Sequence, residues 1–283
     1  MSRGAPPTAV DVAIVNWNTP TTALGAAQAF AASKGVETQI AIVDNGSGAE
    51  QRFILEEGCP PGVRLLLEEN LGYGAAANRA LAGGTAELVC VANADVAPRA
   101  GALAELAAAA AREADAGMVG PVFGEGADRY HAELPSGAAL LGRIFAGSFM
   151  RGAAPLPAPG ETIEVGQPSG ACFLMRRQTW ERIGGFDEGF FLWYEDVDLA
   201  KRLHDARFRN LVVGSARVDH ARAASFRQLD RRAQQAIRLP SLERYIRKHH
   251  PRLAPLARPL LWLSTRLRVG GGAGVRGAER RHS

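Results

Sequence analysis

The sequence has few cysteines and no long apolar run. Its three cysteines, Cys59, Cys90 and Cys172, are far apart and form no CxxC pair, which argues against a disulfide framework and a cysteine-based zinc site. No uninterrupted apolar stretch approaches the roughly 20 residues that span a bilayer. The N-terminus lacks an apolar core before a small-residue cleavage site. We therefore expect no secretory signal and a cytoplasmic location in a reducing compartment.

Two common glycine-rich phosphate-binding motifs are missing as well. Neither GxGxxG nor GxxxxGKS/T follows a predicted strand, so the sequence contains no dinucleotide-binding fingerprint and no P-loop. The composition, with 47% hydrophobic and 22% charged residues, is otherwise that of an ordinary globular protein. The length of 283 residues suffices for one large or two small domains.

The net charge of +4 conceals an asymmetry along the chain. Residues 244–283 contain ten Lys and Arg and one acidic residue, whereas the preceding 243 residues contain 23 basic and 28 acidic residues. The acidic balance of the body argues against a nucleic-acid-binding protein, and the basic tail favours contact with something anionic.

Short apolar segments alternate with helical patterns over the first 120 residues. This alternation predicts an α/β fold with a Rossmann-like, mostly parallel central sheet and helices on both faces. The predicted strands are 10–15, 38–43, 63–67, 88–92 and a fifth from 118, and the predicted helices are 20–32, one ending at 57, 73–81 and 102–112.

Asparagine and aspartate follow the carboxyl ends of these strands. In open α/β sheets that edge is where ligands bind, so four strands delivering such residues to one edge predict a single binding site. Any one of them alone is more simply a turn former or helix cap. The residues are Asn16, Asn18, Asp44, Asn70, Asn93 and Asp95.

Three acids, Glu195, Asp196 and Asp198, follow a dense aromatic run at 186–194 and open a helical pattern. The helix dipole keeps a carboxylate in the first turn ionised, and neighbouring aromatics exclude water, which suits a general base. The alternative is structural: acids at helix starts are commonly caps, and Asp198 can pair with Arg202 at i,i+4.

The second half of the chain is less regular. We expect residues 124–168, rich in Gly, Ala and Pro, to be a partly mobile excursion where an acceptor binds. Further strands are predicted at 172–175 and 208–213, with a short one ending at 220, and helices at 179–183 and 227–249. Residues 1–9 and 269–283 are expected to be disordered.

Six segments together resemble family 2 glycosyltransferases of the GT-A fold, most closely the bacterial rhamnosyltransferase-like branch. The resemblance covers roughly residues 10–225 in the same order. The segments are IVNWN at 14–18, VDNGS at 43–47, NLGYGAAAN at 70–78, NAD at 93–95, SGACFLMRR at 169–177 and GGFDEGFFLWYEDVDLAKRL at 184–203.

This resemblance implies a catalytic domain over 10–225, with a nucleotide-binding half at 10–120 and an acceptor half at 121–225, followed by a helical extension at 226–268. It also implies a nucleotide-sugar donor, an acceptor hydroxyl and inversion at the anomeric carbon. Asp196 resembles the catalytic base, with Glu195 as its neighbour. The implied nucleotide-sugar ligands are Asp44, which would bond the base, with Asn16, Asn18, Asn70, Gly72, Asn78 and Asn93.

The implied metal ligands are Asp95, the last acid of the family's DxD motif, and His220, which would hold Mg²⁺ or Mn²⁺. Asn93 stands where many relatives have the motif's first acid. A buried, hydrogen-bonded strand-end histidine is the alternative for His220. The sequence also departs from the family at Arg207, where a C-capping glycine is common.

The expected reaction is transfer of L-rhamnose from dTDP-L-rhamnose to a glycan or lipid-linked glycan. One alternative is the same reaction with a UDP-hexose or UDP-N-acetylhexosamine. A nucleotidyltransferase is a second alternative, although the first loop, NWNTP, lacks the glycine, arginine and lysine of such enzymes. A third, an inactive sugar-nucleotide-binding protein, is disfavoured by the intact set of Asp95, Asp196 and His220.

The segment 251–268 mixes leucines and Trp262 with arginines and contains no acid. This composition suits a helix lying in the interface of an anionic membrane, which predicts peripheral contact with the inner membrane face. Pro255 and Pro259 would limit the helix or split it. Packing of the leucines back on the catalytic domain is an equally supported alternative.

Overall fold

The computed structural model describes residues 8–124, 132–146, 155–220 and 230–270. Within these ranges the strands are β1 (Thr8–Asn16), β2 (Val36–Asn45), β3 (Arg64–Glu68), β4 (Leu88–Asn93), β5 (Val96–Pro98), β6 (Ala116–Phe123), β7 (Thr162–Val165), β8 (Cys172–Arg176) and β9 (Arg209–His220). The helices are α1 (Pro20–Ala31), α2 (Ala49–Gly58), α3 (Tyr73–Leu81), α4 (Ala102–Arg112), α5 (Gly137–Ala146), α6 (Arg177–Ile183), α7 (Glu195–Asp205), α8 (Arg231–His249) and α9 (Ala254–Gly270).

All the described strands belong to one sheet, in the order β3-β2-β1-β4-β8-β6-β9-β5, with β7 also paired to β9. The first four strands are parallel, as are β6 and β9. β8 runs antiparallel between β4 and β6, and β5 and β7 run antiparallel to β9. The predicted α/β class with a mostly parallel central sheet is confirmed.

Helices cover both faces of this sheet, as predicted. On one face, α1, α2 and α4 contribute Phe30, Leu55 and Leu106 to a large apolar core. On the other, α3, α6 and α7 contribute Leu81, Trp180 and Leu203 to a second core. The two cores fix the sheet between helical layers, so the carboxyl ends of β1 to β4 meet at one edge.

A third apolar core lies away from the sheet and is built by α5, α8 and α9. It includes Phe190 and Tyr194 from the loop before α7, together with Tyr245 of α8. Ala257 and Leu261 of α9 are buried in the same core. One face of the basic tail segment therefore packs on the rest of the protein, as expected if its leucines pack back on the catalytic domain.

The structure corrects several expectations for the second half of the chain. The excursion at 124–168 contains α5 and β7, which its Gly, Ala and Pro content concealed, while 125–131 and 147–154 lie outside the described residues. β9 is one continuous strand. Its pairing register with β6 shifts between Val213 and Arg217, so the apolar pattern breaks there without ending the strand.

The three acids lie in the first turn of α7, which begins at Glu195, as predicted. Other helix boundaries differ from the expectations. α9 continues through Pro259 and is not split, and a 3₁₀ turn, Pro251–Leu253, precedes it. The predicted start of α8 at 227 and most of the predicted disordered ends fall outside the described residues, whereas residues 8 and 9 belong to β1.

Among the described helices, none is both long enough and apolar enough to cross a bilayer.

Candidate active site

The polar residues at the ends of β1, β2 and β3 contact one another. β1 and β2 are in register at Asn16 and Asp44, and Asn16 Nδ2 donates to Asp44 Oδ1 at 2.9 Å. Asn45 Nδ2 donates to Asn70 Oδ1 at 3.2 Å. The parallel arrangement thus gathers three of the predicted ligand positions at one sheet edge.

Asp44 has no exposed surface. Besides Asn16, its carboxylate accepts from the Ser47 backbone N–H at 3.1 Å, from the Ser47 hydroxyl, and from Arg52 Nε at 3.0 Å. These bonds make Asp44 the organiser of the loop after β2. For Asp44 to bond a nucleotide base, one donor, most simply the partly exposed Arg52, must move away.

Asn18 joins the loops that follow β1 and β2. Its backbone has a left-handed φ of 54°, a conformation that asparagine adopts more readily than most residues. Its N–H donates to Ser47 Oγ at 2.7 Å, and its Oδ1 accepts from Gly48 N–H at 3.0 Å. Asn18 therefore sets the shape of the cradle at this edge.

The loop after β3 reaches from the sheet edge to the aromatic loop before α7. Asn70 Oδ1 also accepts from Gly72 N–H at 3.3 Å. Gly72 has a φ of 88°, and a Cβ there would lie 2.4 Å from the carbonyl oxygen of Phe191. Tyr73 N–H donates to the same carbonyl at 2.8 Å. Only glycine permits this close approach of the two loops.

Asn78 lies within α3, apart from the sheet edge. Its Oδ1 accepts from Phe186 N–H, and its Nδ2 donates to Phe186 O and to Glu188 Oε1, each at 3.0 Å. The whole amide is thus engaged with the loop that leads to α7. That Asn78 binds the nucleotide stays a prediction, and these contacts give it no support.

Asp196 is held at the start of α7 by three hydrogen bonds. Its Oδ2 accepts from Gln167 Nε2 at 2.9 Å and from Gly170 N–H at 3.1 Å, and its Oδ1 accepts from Val197 N–H at 2.8 Å. The side chain keeps part of its surface exposed. It is therefore both fixed in orientation and accessible, as a general base must be.

Glu195 has a different environment. It is 7% exposed, and its Oε2 is buried without a hydrogen-bond partner among the described residues. Burial, together with the charge of Asp196, raises the pKa of Glu195 well above its usual range. Burial also raises the pKa of Asp196, but hydrogen bonds from Gly170, Val197 and Gln167 oppose it. Burial therefore favours the neutral form of Glu195, whereas the three hydrogen bonds to Asp196 favour its charged form.

The segment 169–171 connects the two halves of the site. Asn93 N–H, at the end of β4, donates to Ala171 O at 2.9 Å. The Tyr73 hydroxyl donates to Gly170 O at 3.1 Å, and Gly170 N–H binds Asp196 as described. The end of β4 and the acid of α7 are thus joined through the backbone of residues 169–171.

Asp95, in the turn between β4 and β5, contacts His220, the last residue of β9. β5 pairs with β9 so that Val96 lies opposite His220, and His220 Nε2 is 3.0 Å from Asp95 Oδ1, with both side chains about nine-tenths buried. The ring also lies against Phe123, with centroids 5.6 Å apart. This contact equally satisfies the expectation of a buried strand-end histidine.

The donor set of this pair fits a divalent cation. A carboxylate and an imidazole are ligands that Mn²⁺ accepts, and Mg²⁺ needs only one or two carboxylates when substrate phosphates and waters complete its shell. Within the described residues no group of three His, Cys, Asp or Glu side chains could hold a metal. Among these residues, an ion at the pair would need oxygens from a substrate or from water to complete its shell.

Four residues with clear structural roles in the site were not predicted: Ser47, Tyr73, Gln167 and Gly170. Ser47 had a signal, since a serine three residues after an aspartate is typical of a side-chain-bonded turn. Tyr73 and Gln167 had none, because their partners lie 97 and 29 residues away along the chain.

The fold is that of an α/β protein with polar residues gathered at one sheet edge, and the comparisons assign its family. The family model described as "Glycosyltransferase like family 2" matches residues 6–238. The chain belongs to this family and is a glycosyltransferase of rhamnosyltransferase-like type. Two curated relatives, from Mycobacterium tuberculosis strains CDC 1551 and H37Rv, are each 34% identical over 230 residues, covering 69% of this chain and 72% of theirs. Both are named N-acetylglucosaminyl-diphospho-decaprenol L-rhamnosyltransferase.

Solved structures establish the GT-A fold independently. Mannosyltransferase PcManGT from Pyrobaculum calidifontis, in complex with GDP-Man and Mn²⁺, aligns with a TM-score of 0.55 at 17% identity, covering 93% of this chain and 79% of its own. GalNAc-T7 with UDP, GalNAc and Mn²⁺ aligns with a TM-score of 0.56 at 15% identity. That alignment covers 75% of this chain but only 44% of GalNAc-T7. At these identities the likeness concerns the fold.

Gly170→Ala tests whether the backbone beside Asp196 sets its orientation. A Cβ at Gly170 would lie 2.6 Å from Asp196 Cβ, so the acid must shift. We expect kcat to fall roughly 10- to 100-fold, since small misplacements of a reacting group are that costly. Gly101→Ala, where a Cβ meets nothing within 4 Å, is the control and should behave as wild type. Wild-type kcat in Gly170→Ala would contradict a role of the Gly170 backbone in orienting Asp196 for catalysis.

Proposed function

We propose that this chain is an inverting glycosyltransferase that transfers L-rhamnose from dTDP-L-rhamnose to a hydroxyl of a glycan or lipid-linked glycan acceptor. The names of the curated relatives support L-rhamnose as the transferred sugar and a lipid-linked acceptor. The observation that carries the proposal is the geometry of Asp196, which is partly exposed and is fixed by three hydrogen bonds next to segment 169–171, whose backbone also contacts Asn93 at the end of β4.

In this proposal Asp196 removes the proton of the acceptor hydroxyl. The hydroxyl oxygen then attacks the anomeric carbon as the bond from that carbon to the diphosphate breaks on the opposite side, which inverts the configuration. The proton rests on Asp196, and the nucleoside diphosphate leaves with the bonding electrons. Burial and the charge of Asp196 raise the pKa of Glu195 well above its usual range, which favours a neutral neighbour beside the proposed base.

The donor would lie over the carboxyl ends of β1 to β4. Asn16, Asn18, Asp44, Asn70, Gly72, Asn78 and Asn93 are proposed as the residues that bind or shape its nucleotide part. Their mutual hydrogen bonds support this for the strand-end members, because a cradle already held in shape loses less entropy when it binds a ligand.

Asp95 and His220 are proposed to hold Mg²⁺ or Mn²⁺ against the donor's diphosphate. The two solved structures with Mn²⁺ support a divalent ion. When bound, such an ion neutralises negative charge on the leaving diphosphate. In this chain Asp95, directly before β5, and His220, at the end of β9, would supply one carboxylate and one imidazole, with His220 Nε2 3.0 Å from Asp95 Oδ1.

Asp196→Asn should abolish turnover and leave donor binding intact, because the base acts only on the acceptor proton. With dTDP-rhamnose, Mn²⁺ and a lipid-linked or soluble glycan acceptor, release of nucleoside diphosphate should fall about 10²–10⁴-fold in kcat. UDP-sugars assayed in parallel test the alternative donors. Asp205→Asn, an exposed acid on the same helix, is the control.

The same enzyme assay gives a pH signature. Burial raises the pKa of Asp196, so wild-type kcat should decline as pH falls through a value above the usual aspartate pKa of about 3.9. More than about a tenth of wild-type kcat in Asp196→Asn would show that another group is the base.

Asp95→Ala should weaken binding of the nucleoside diphosphate chiefly when metal is present, and activity should vanish in EDTA and return with Mn²⁺ or Mg²⁺. The reason is that the proposed role of Asp95 is to hold the ion against phosphate. Calorimetric titration with and without Mn²⁺ measures both affinities. Asp219→Ala removes an exposed neighbouring acid and should not change them. Equal affinity of wild type and Asp95→Ala in saturating Mn²⁺ would refute the role.

We also propose that the outer face of α9 contacts an anionic phospholipid surface. Leu256, Trp262 and Leu263 are 53%, 56% and 41% exposed on this face, and Arg252 and Arg258 beside them are exposed too. Trp262 and Arg258 also line a groove of about 580 Å³ against α8. Exposed apolar groups flanked by arginines suit the interface between headgroups and acyl chains.

Removal of the whole tail would uncover the third core, so point substitutions test this proposal better. The double variant Leu256→Glu, Trp262→Glu should lose co-sedimentation with phosphatidylglycerol vesicles, and wild-type binding should weaken at high salt, because surface attraction of about 1 kcal/mol per Arg is screened. Phe53→Glu, at a 62% exposed position on α2, is the control. Equal sedimentation of all three proteins would refute membrane contact.

A further inference from the structure

One face of α8 runs along the loop that precedes α7. Ser241 Oγ donates to Leu192 O at 2.9 Å. One turn later the Tyr245 ring lies against the Tyr194 ring, with centroids 5.5 Å apart. One further turn on, Lys248 reaches the first turn of α7. The spacing of three to four residues places these contacts on a single helix face.

Asp187, near the start of this loop, is bound by two cations of α8. It accepts from Arg244 Nη2 at 2.7 Å and from Lys248 Nζ at 2.6 Å. Burial alone would raise the pKa of Asp187, but the hydrogen bonds from Lys248 and Arg244 outweigh it and lower the pKa to about 2. The Arg244 guanidinium also lies 5.2 Å from the centre of the Phe190 ring. The loop is thus anchored before it reaches the acids.

Asp198 forms the second anchor and has no exposed surface. Its carboxylate lies 2.7 Å from Arg202 Nε of the same helix. From α8, Lys248 Nζ lies 2.8 Å away and His249 Nε2 lies 2.7 Å away. Burial acts to raise the pKa of Asp198, but the hydrogen bonds from His249 and Lys248 and the charge of Arg202 lower it overall. Its carboxylate is therefore ionised, and α8 supplies two of its three partners.

Asp196 and Asp198 point to different sides of α7. Two residues along an α-helix correspond to a rotation of about 200°, and the contacts agree: Asp196 meets Gly170, whereas Asp198 meets α8. Rotation or displacement of the first turn that loosens one contact must change the other. Fixing Asp198 therefore also fixes the direction of Asp196.

We propose that Lys248 and His249 are positioning residues for catalysis, which orient Asp196 by holding Asp198 from α8. Both lie beyond residue 238, where the match to the family model ends. The inference rests on the proposed role of Asp196 as general base. From the sequence, the helical extension is expected to lie outside the catalytic domain. In this proposal, residues of that extension orient a group of the active site.

The test compares Lys248→Ala, His249→Ala and the double variant with Arg247→Ala, an exposed neighbour on α8 that matches the charge change of Lys248→Ala. The full-length proteins are assayed with dTDP-rhamnose and a soluble acceptor well below their melting temperatures. We expect the double variant to lose roughly 10- to 100-fold in kcat, with the donor KM and the Kd for nucleoside diphosphate unchanged. Arg247→Ala should retain wild-type kcat.

Conservative variants separate positioning from simple stabilisation. Lys248→Arg and His249→Gln keep a donor near Asp198 and should recover most of the kcat that the alanine variants lose. The proposal is overturned if the alanine variants lower only the melting temperature, if kcat and nucleotide affinity fall together, or if the conservative variants recover nothing. Substantial activity in Asp196→Asn would instead refute the general base itself, whatever the α8 variants do.

Discussion

Asp198, a carboxylate with no exposed surface, joins the first turn of α7 to α8. An ionised carboxylate removed from water is stable only when cations and hydrogen bonds replace the water. Arg202 supplies one partner from within α7, and Lys248 and His249 supply two from α8. α8 must therefore be in place for α7 to begin where it does, and the apolar core shared by α5, α8 and α9 keeps it there.

The backbone that enters α7 is strained, which explains why it needs this support. Trp193 and Tyr194 both have left-handed φ angles, of 64° and 68°, and such residues cost of order 1–3 kcal/mol each. No side chain caps the helix at Tyr194. The conformation persists because Tyr194 is buried against α8, and because Gly72, which has no Cβ, leaves room for the Phe191 backbone on the other side. The loop before α7 is thus held between Gly72 and α8.

Local sequence signals predicted the first half of the fold well. β1 to β4, α3 and α4 lie within about two residues of their predicted bounds, because each carries a strong apolar pattern and a clear turn. The antiparallel direction of β8 could not be predicted, since a short buried strand has the same composition in either direction. α5 and β7 were missed because small residues and prolines obscure any period. The left-handed φ of 68° at Arg207 marks the very position where the family's glycine is absent.

The candidate site divides in the same way. The strand-end residues were predictable, because parallel strands deliver their ends to one edge, and the i,i+4 pair of Asp198 with Arg202 is confirmed. Lys248 and His249 carried no signal, since they lie about fifty residues from Asp198 and read as part of a basic tail. Short-range rules find caps and pairs within an element, but they cannot find a partner that a separate helix brings back.

The difference between the two neighbouring acids follows from the same geometry. Asp196 faces the N–H of Gly170 and the amide of Gln167, which stabilise a negative charge, whereas Glu195 turns into a buried region that offers its Oε2 no donor among the described residues. The first turn of α7 therefore places one acid where hydrogen bonds favour its charged form and the neighbouring acid where burial favours its neutral form. The direction in which that turn faces sets the environment of each acid. The contacts of Asp198 with α8 hold this turn in place. Under the proposal that Asp196 is the general base, a helix about fifty residues further along the chain would therefore orient the catalytic group.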